Sequence, residues 1–183
     1  MARIEFPDPK KMTEAQRRVY DDVVRAPRTR APQPFTAWLH APELARRAFD
    51  LGEFVRFGTT LPPALVQLAA LVVAKHWSAP YLWKTRKQDA LKAGLDGTVI
   101  DDIARGAPPR FARAEERAVY EFSVALQSDR AVGSGVYKAA VAAVGEPGVV
   151  ELVAALGYYT LVAMTLVSFE IGLPEGAGTE GAP

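Results

Sequence analysis

Apolar residues recur at three- and four-residue spacing along most of the chain. No run alternates apolar and polar residues long enough to build a half-buried strand. The pattern predicts an all-α protein. Thr13, with Gln16 three residues on, forms a capping box ahead of a helix whose apolar face is Val19, Tyr20, Val23 and Val24. That helix ends near Ala26, and the proline-rich stretch from Pro27 to Pro34, with Arg28 and Arg30 in it, reads as a solvated loop. Phe35 to Leu39 is a short apolar turn, and His40, just ahead of Pro42, reads as structural. Pro42 then opens a helix through Phe57 with Leu44, Ala45, Ala48, Leu51, Phe54 and Val55 on its apolar side.

The stretch from Leu61 to Leu95 organises the rest: two helices joined at a tight corner. Pro62 and Pro63 suit a first helical turn, where an amide proton has no intrahelical partner. From Ala64 to Trp77 almost every residue is apolar, and Gln67 is the lone uncharged polar side chain, so this helix must be buried on most of its surface. Ser78 and Pro80 break it, a second helix runs from Tyr81 to Ala93, and Gly94 caps its end. Further helices are predicted over Thr98 to Ala104, Glu115 to Gln127 and Gly135 to Val144, the last capped by Ser134. Gly145, Pro147 and Gly148 separate it from a long apolar helix, Val149 to Glu170. The expected architecture is a single helical domain over 35–171, preceded by an arm and first helix over 1–34 and followed by a flexible tail over 172–183. Two helices, the central one and the last, are nearly apolar all round, so a subunit interface is expected to cover part of one.

Composition narrows the classes. At 183 residues the chain is long enough for a sizeable core without staples, and with a formal net charge of +1 it lacks the clustered basic excess of a nucleic-acid binder. It has no cysteine, which excludes a disulfide framework, a thiol nucleophile and a thiolate metal site. Nothing in the pattern implies a metal or cofactor. The first residues lack the apolar core of a signal peptide, and Glu151, Tyr158, Tyr159, Thr160, Thr165 and Ser168 make the last helix too polar for a membrane span. The expectation is a cytoplasmic protein with no membrane partner.

The corner carries the densest set of chemically capable side chains. Imidazole as a group titrates near neutrality, so His76 suits a general base or acid, although a histidine closing a helix is also a dipole-satisfied cap. Arg86 suits a bidentate grip on a carboxylate; the plainer alternative is a surface salt bridge. Lys84 and Lys87 add positive charge, and Tyr81 is placed to donate to a developing oxyanion. Trp77 and Trp83 would either wall an apolar ligand or fill the core. Gln67 must satisfy its amide within the fold or on a substrate. The candidate catalytic set is therefore His76, Tyr81 and Arg86, with Gln67, Trp77, Trp83 and Lys87 as candidate binding residues.

The segment from Gln67 to Leu95 resembles the core of the carboxymuconolactone decarboxylase and alkylhydroperoxidase D-like (AhpD-like) superfamily. Leu68, Val72 and Ala74 match its buried helix, Tyr81 and Trp83 its second helix, and Ala90, Leu91, Ala93, Gly94 and Leu95 its closing phrase. Pro42-Glu43-Leu44-Ala45 and Gly157-Tyr158-Tyr159 extend the resemblance over roughly residues 35 to 170. It implies an AhpD-like helical bundle that assembles as trimers or hexamers. In the peroxidase branch of that superfamily a glutamate, two cysteines and a histidine form a relay. Aligned on Trp83, those positions are Gln67, Ala79, Leu82 and Arg86, so none of the four groups is present. The resemblance alone would assign peroxiredoxin activity; without a thiol the residues contradict it. Three readings follow. One is a cofactor-free lyase or decarboxylase acting on a small carboxylated lactone or related acid, with Arg86 gripping the carboxylate, His76 moving the proton and Tyr81 steadying enolate-like charge. Another is a binding protein without turnover. The third is a structural oligomer without ligand. The discriminating geometry is whether His76, Tyr81 and Arg86 converge on one cavity.

Overall fold

The computed structural model describes residues 2–25 and 33–172. The loop expected around Arg28 and Arg30 and the tail expected beyond Gly172 lie outside the described residues. Among those described, helices follow one another as α1 (Glu14–Arg25), α2 (Phe35–Trp38), α3 (Pro42–Phe57), α4 (Pro63–His76), α5 (Pro80–Lys92), α6 (Gly97–Arg105), α7 (Ala114–Val124) and α8 (Ser134–Ser168), with a π-helical turn over Ala125–Asp129. No strand occurs among them.

Helix starts follow local chemistry. The Thr13 amide donates to Gln16 Oε1 at 2.9 Å and the Gln16 amide to Thr13 Oγ1 at 3.2 Å, a reciprocal capping box. Prolines occupy the first turn of α3, α4 and α5, where their missing N–H costs nothing. Asp96 caps α6 through the Thr98 amide at 2.8 Å. Ser134 behaves otherwise than expected. Gly133 holds the cap position and Ser134 is the first helical residue, with no side-chain cap bond at that end.

α4 is the axis of the bundle, packed by α5, α7 and α8 on its long sides and by α3 and α6 at narrower contacts. Every residue from Ala64 to Ala74 is buried, Gln67 among them. Burying a side chain such as Leu65, Leu68 or Leu71 in this way stabilises the fold by about 1.5–3 kcal/mol each. The corner after α4 closes as a Schellman motif. The Ser78 amide donates to the Lys75 carbonyl at 3.2 Å and the Ala79 amide to the Ala74 carbonyl at 3.0 Å. The motif needs a left-handed residue, and here a serine supplies it, Ser78 at φ 47°. α5 ends in the same motif with Gly94 at φ 88°.

α8 contains the expected break. Gly145, at φ 74° and ψ 166°, is non-helical inside it, whereas Pro147 and Gly148 sit in the restarted helix. Among the described residues one helix, α8, is long and apolar enough to cross a membrane, but 56% of its most apolar window is buried within the bundle. Its Glu151 also accepts hydrogen bonds from the Thr60 amide and hydroxyl, both at 2.8 Å, which ties it to the loop before α4. The two apolar helices differ in cover. The chain itself hides α4, while Val150, Val153, Met164 and Val167 leave an apolar stripe exposed along α8.

Candidate functional site

The buried amide of α4 and the guanidinium of α5 meet. Arg86 Nη1 donates to Gln67 Oε1 at 3.4 Å, and Arg86 Nη2 pairs with Asp89 Oδ2, one helical turn on, at 3.0 Å. The Arg86 side chain is only 14% exposed. Its guanidinium is thus largely covered, and the ion pair that the sequence offered as its plainer role is present, made to Asp89, which is 41% exposed. Its face lies 5.9 Å from the centre of the Tyr159 ring of α8, within cation–π reach.

This cluster is under-satisfied. Among the described residues, the buried side-chain polar atoms without a partner are Trp77 Nε1, Trp83 Nε1, Arg86 Nε and the Tyr159 hydroxyl. Three are N–H donors and the fourth can donate. All lie on the corner, on α5 or on the part of α8 that packs against Arg86. Buried donors without acceptors cost about 1–3 kcal/mol each, and of these four Arg86 Nε and the Tyr159 hydroxyl belong to side chains already in contact, which marks that pair as suited to an oxygen-rich group.

A second charged layer backs the first. Arg56 Nη2 of α3 pairs with Glu53 Oε1 at 3.0 Å, and Arg56 Nε donates to the Gly52 carbonyl at 2.9 Å. Tyr158 sits against this layer. Burial pushes its phenol up to about 12, against the opposing pull of the Arg56 and Arg86 guanidinium groups, so it remains a neutral phenol through the physiological range. Gly52 makes room for it. A Cβ there would stand 2.6 Å from Tyr158 Cζ, inside contact distance.

The remaining residues predicted from sequence are dispersed. His76 is exposed at the end of α4, its ring edge-on to Trp77 with centroids 6.1 Å apart. It lines a cavity of about 260 Å³ with residues of α4, α6, α7 and the π turn, and neither Tyr81 nor Arg86 is part of that lining. His76 thus faces α6 and α7, while Arg86 faces α4 and α8. Tyr81 is half-buried on the first turn of α5. Trp83 is enclosed in the core, 1% exposed. Lys87 pairs with Asp101 of α6 at 3.1 Å. His40, outside the corner, makes a 2.9 Å hydrogen bond to the Glu5 carbonyl.

Sequence reasoning passed over Asp89, Glu53, Arg56 and the tyrosine pair as site groups. The pair carried a signal: two adjacent phenols inside an otherwise apolar helix need polar company, and residues 158 and 159 have it on α3 and α5. Asp89, at i+3 from Arg86, was legible as a helix-face partner.

No family model matches the chain, and no curated protein matches it either. Among solved structures, it resembles the crystal structure of a protein of unknown function from Agrobacterium tumefaciens described as a candidate AhpD antioxidant defence protein. The TM-score is 0.66 at 16% sequence identity, over 75% of this chain and 95% of that one. At that identity the likeness establishes the fold, which is the AhpD-like helical fold that the corner motifs implied.

Proposed function

We propose that the protein binds a small carboxylate or carboxylated lactone at Arg86, without thiol redox chemistry. The observation that carries this reading is the largely covered Arg86 guanidinium, whose buried Nε has no acceptor, against the ring of Tyr159, whose buried hydroxyl is likewise unpaired. A carboxylate entering there would take an N–H from Arg86 and an O–H from Tyr159, and Gln67 would hold the far side of the guanidinium in place. Gln67 and Arg86 stand where the resemblance puts the glutamate and histidine of the peroxidase relay. An anion hook in that position is a change of chemistry at an inherited location, supported by the contact between the two side chains.

Lyase chemistry on the same ligand is the finer form of this reading. Arg86 would grip the carboxylate and a phenol, Tyr159 or Tyr81, would donate to the oxygen that gains charge as the enolate develops. Proton transfer would fall to His76, which lines a different cavity; a binding protein therefore fits the geometry better than a one-chain lyase. We also read the chain as a cytoplasmic homo-oligomer, trimer or hexamer, in which α8 is a core and interface helix. The support is the exposed stripe of Val150, Val153, Met164 and Val167.

The test is isothermal titration with a panel of small aliphatic and aromatic acids and lactones, on the parent and on Arg86→Lys and Tyr159→Phe. Binding by the parent, weakened about tenfold or more in both variants while their melting temperatures stay close to the parent, is the expected result. Acid binding that ignores both substitutions, or none by a folded parent, rejects the reading. Light scattering at micromolar concentration should return a mass several times 19.8 kDa, and Val153→Asp with Met164→Asp should reduce it.

A further inference from the structure

On the far flank of the corner lies the 260 Å³ cavity to which His76 belongs. Its floor is apolar, from Val72, Ile103 and Val124, and its rim carries His76, Tyr120 and Ser128. None of those three rim side chains makes a hydrogen bond to another described residue. The rim is shaped by the π-helical turn at the end of α7, which shifts the register there and brings residues 127 and 128 onto the cavity. The turn ends at Arg130 in a left-handed conformation, φ 55°, and is pinned from behind by Gln127 Nε2 donating to Thr160 Oγ1 at 3.2 Å. A rare helical turn, held through Gln127 and opening unspent hydrogen-bonding groups over an apolar floor, is a built recess.

Its charge sets the ligand. Among the described residues no acidic side chain lines the cavity, and the one ammonium at its edge is already engaged. Lys75 Nζ donates to the Ala104 carbonyl at 2.6 Å, at the C-terminal end of α6, where the helix carries partial negative charge. Burial raises the Tyr120 phenol, so it stays a neutral donor. A carboxylate placed here would lose its hydration without meeting a guanidinium fork. A neutral hydroxyl can both donate to and accept from His76, Tyr120 and Ser128. As to size, a cavity of about 150 Å³ holds benzene, so this one takes a single ring with one or two small substituents.

We propose that this cavity is a second ligand site, separate from Arg86, for a small neutral phenol or aromatic alcohol. The experiment is an amide NMR titration of the full chain with 4-methylphenol, with benzoate run in parallel. Saturable shifts are expected at residues 72–76, 103–106 and 120–128. Tyr120→Phe should weaken 4-methylphenol about tenfold, the size of one hydrogen bond, and Arg86→Ala should leave it unchanged. Ser128→Trp, at an exposed position, should plug the recess and abolish the shifts while the fold, followed by circular dichroism, persists. The proposal is overturned if 4-methylphenol shifts map elsewhere, if the plug leaves them intact, or if benzoate outcompetes the phenol in this cavity. Failure of acid binding at Arg86 would leave these expectations untouched, so the two sites are judged separately.

Discussion

Around Arg86 the polar groups are mostly charged and largely covered where α3, α4, α5 and α8 pack, while the His76 recess, formed by α4, α6, α7 and the π turn, carries an imidazole, a phenol and a serine with one engaged ammonium, Lys75, at its edge. Both clusters begin from the same corner, ten residues apart in the chain. What differs is the partner helix. α8 offers Tyr158 and Tyr159 against α5, so each guanidinium must be held by a carboxylate, an amide or a ring face. α6, α7 and the π turn offer a helix C-terminus, a phenol and a serine, which demand no countercharge. A buried polar layer couples ligand binding to stability; an open recess does not, and this contrast can be broken at several points.

The largest effect is expected at Gly52. Gly52→Val drives a branched side chain into the Tyr158 ring, and the buried layer has no slack to absorb it. A loss of about 3 kcal/mol, or roughly 6–12 °C in melting temperature, should follow. An unchanged melt would mean that Tyr158 swings aside and the layer is not rigid.

Alkaline titration should separate the same layer from the recess. An exposed tyrosine ionises near 10, whereas Tyr158 in the folded chain is held up to about 12 by burial. Its folded value lies above its unfolded one, so its contribution is fully present below about pH 10 and is lost as pH rises through about 12. The amount is on the order of 2–3 kcal/mol. Tyr158→Phe should flatten the fall in stability across that window, as read by denaturant melts at stepped pH; a fall of undiminished depth would assign it to other groups.

Substituting the two corner residues compares the flanks directly. Arg86→Ala leaves the buried Gln67 amide without its donor and opens a void, for a cost of about 1–3 kcal/mol. His76→Ala removes an exposed ring and should stay within about 0.5 kcal/mol. Equal costs would erase the distinction drawn here. The smallest expected effect is zero. With no cysteine in the chain, cumene hydroperoxide should disappear no faster than in buffer, with or without a dithiol. Turnover that scales with protein and survives chelation would demand a nucleophile that neither flank displays.

Much of the fold was legible because it rests on local chemistry. The Thr13–Gln16 capping box, the first-turn prolines, Gly94 and the break at Gly145 are each dictated by a few neighbouring residues. The Gln67–Arg86 contact was half legible. The family resemblance set both residues on relay positions, but pattern alone left Arg86 between a carboxylate grip and a surface salt bridge. Arg56 and Glu53 look like ordinary helix-surface charges until α8 packs against α3, while Asp89 stays 41% exposed. The π turn escaped because a one-residue bulge leaves the hydrophobic spacing of Glu115 to Gln127 almost intact.

By itself, then, the sequence determined the helices, their order, the buried character of α4 and the absence of thiol chemistry, since these depend on residue type and spacing within a few turns. Tertiary structure decided which flank of the corner each side chain serves. His76 and Arg86 are separated by the Schellman turn at Ser78, and the direction in which that turn sends α5 is fixed by packing against α4 and α8. Whether a guanidinium is solvated or buried depends on what lies across from it. For Arg86 those atoms come from Gln67 of α4 and Tyr159 of α8, on other helices of the bundle.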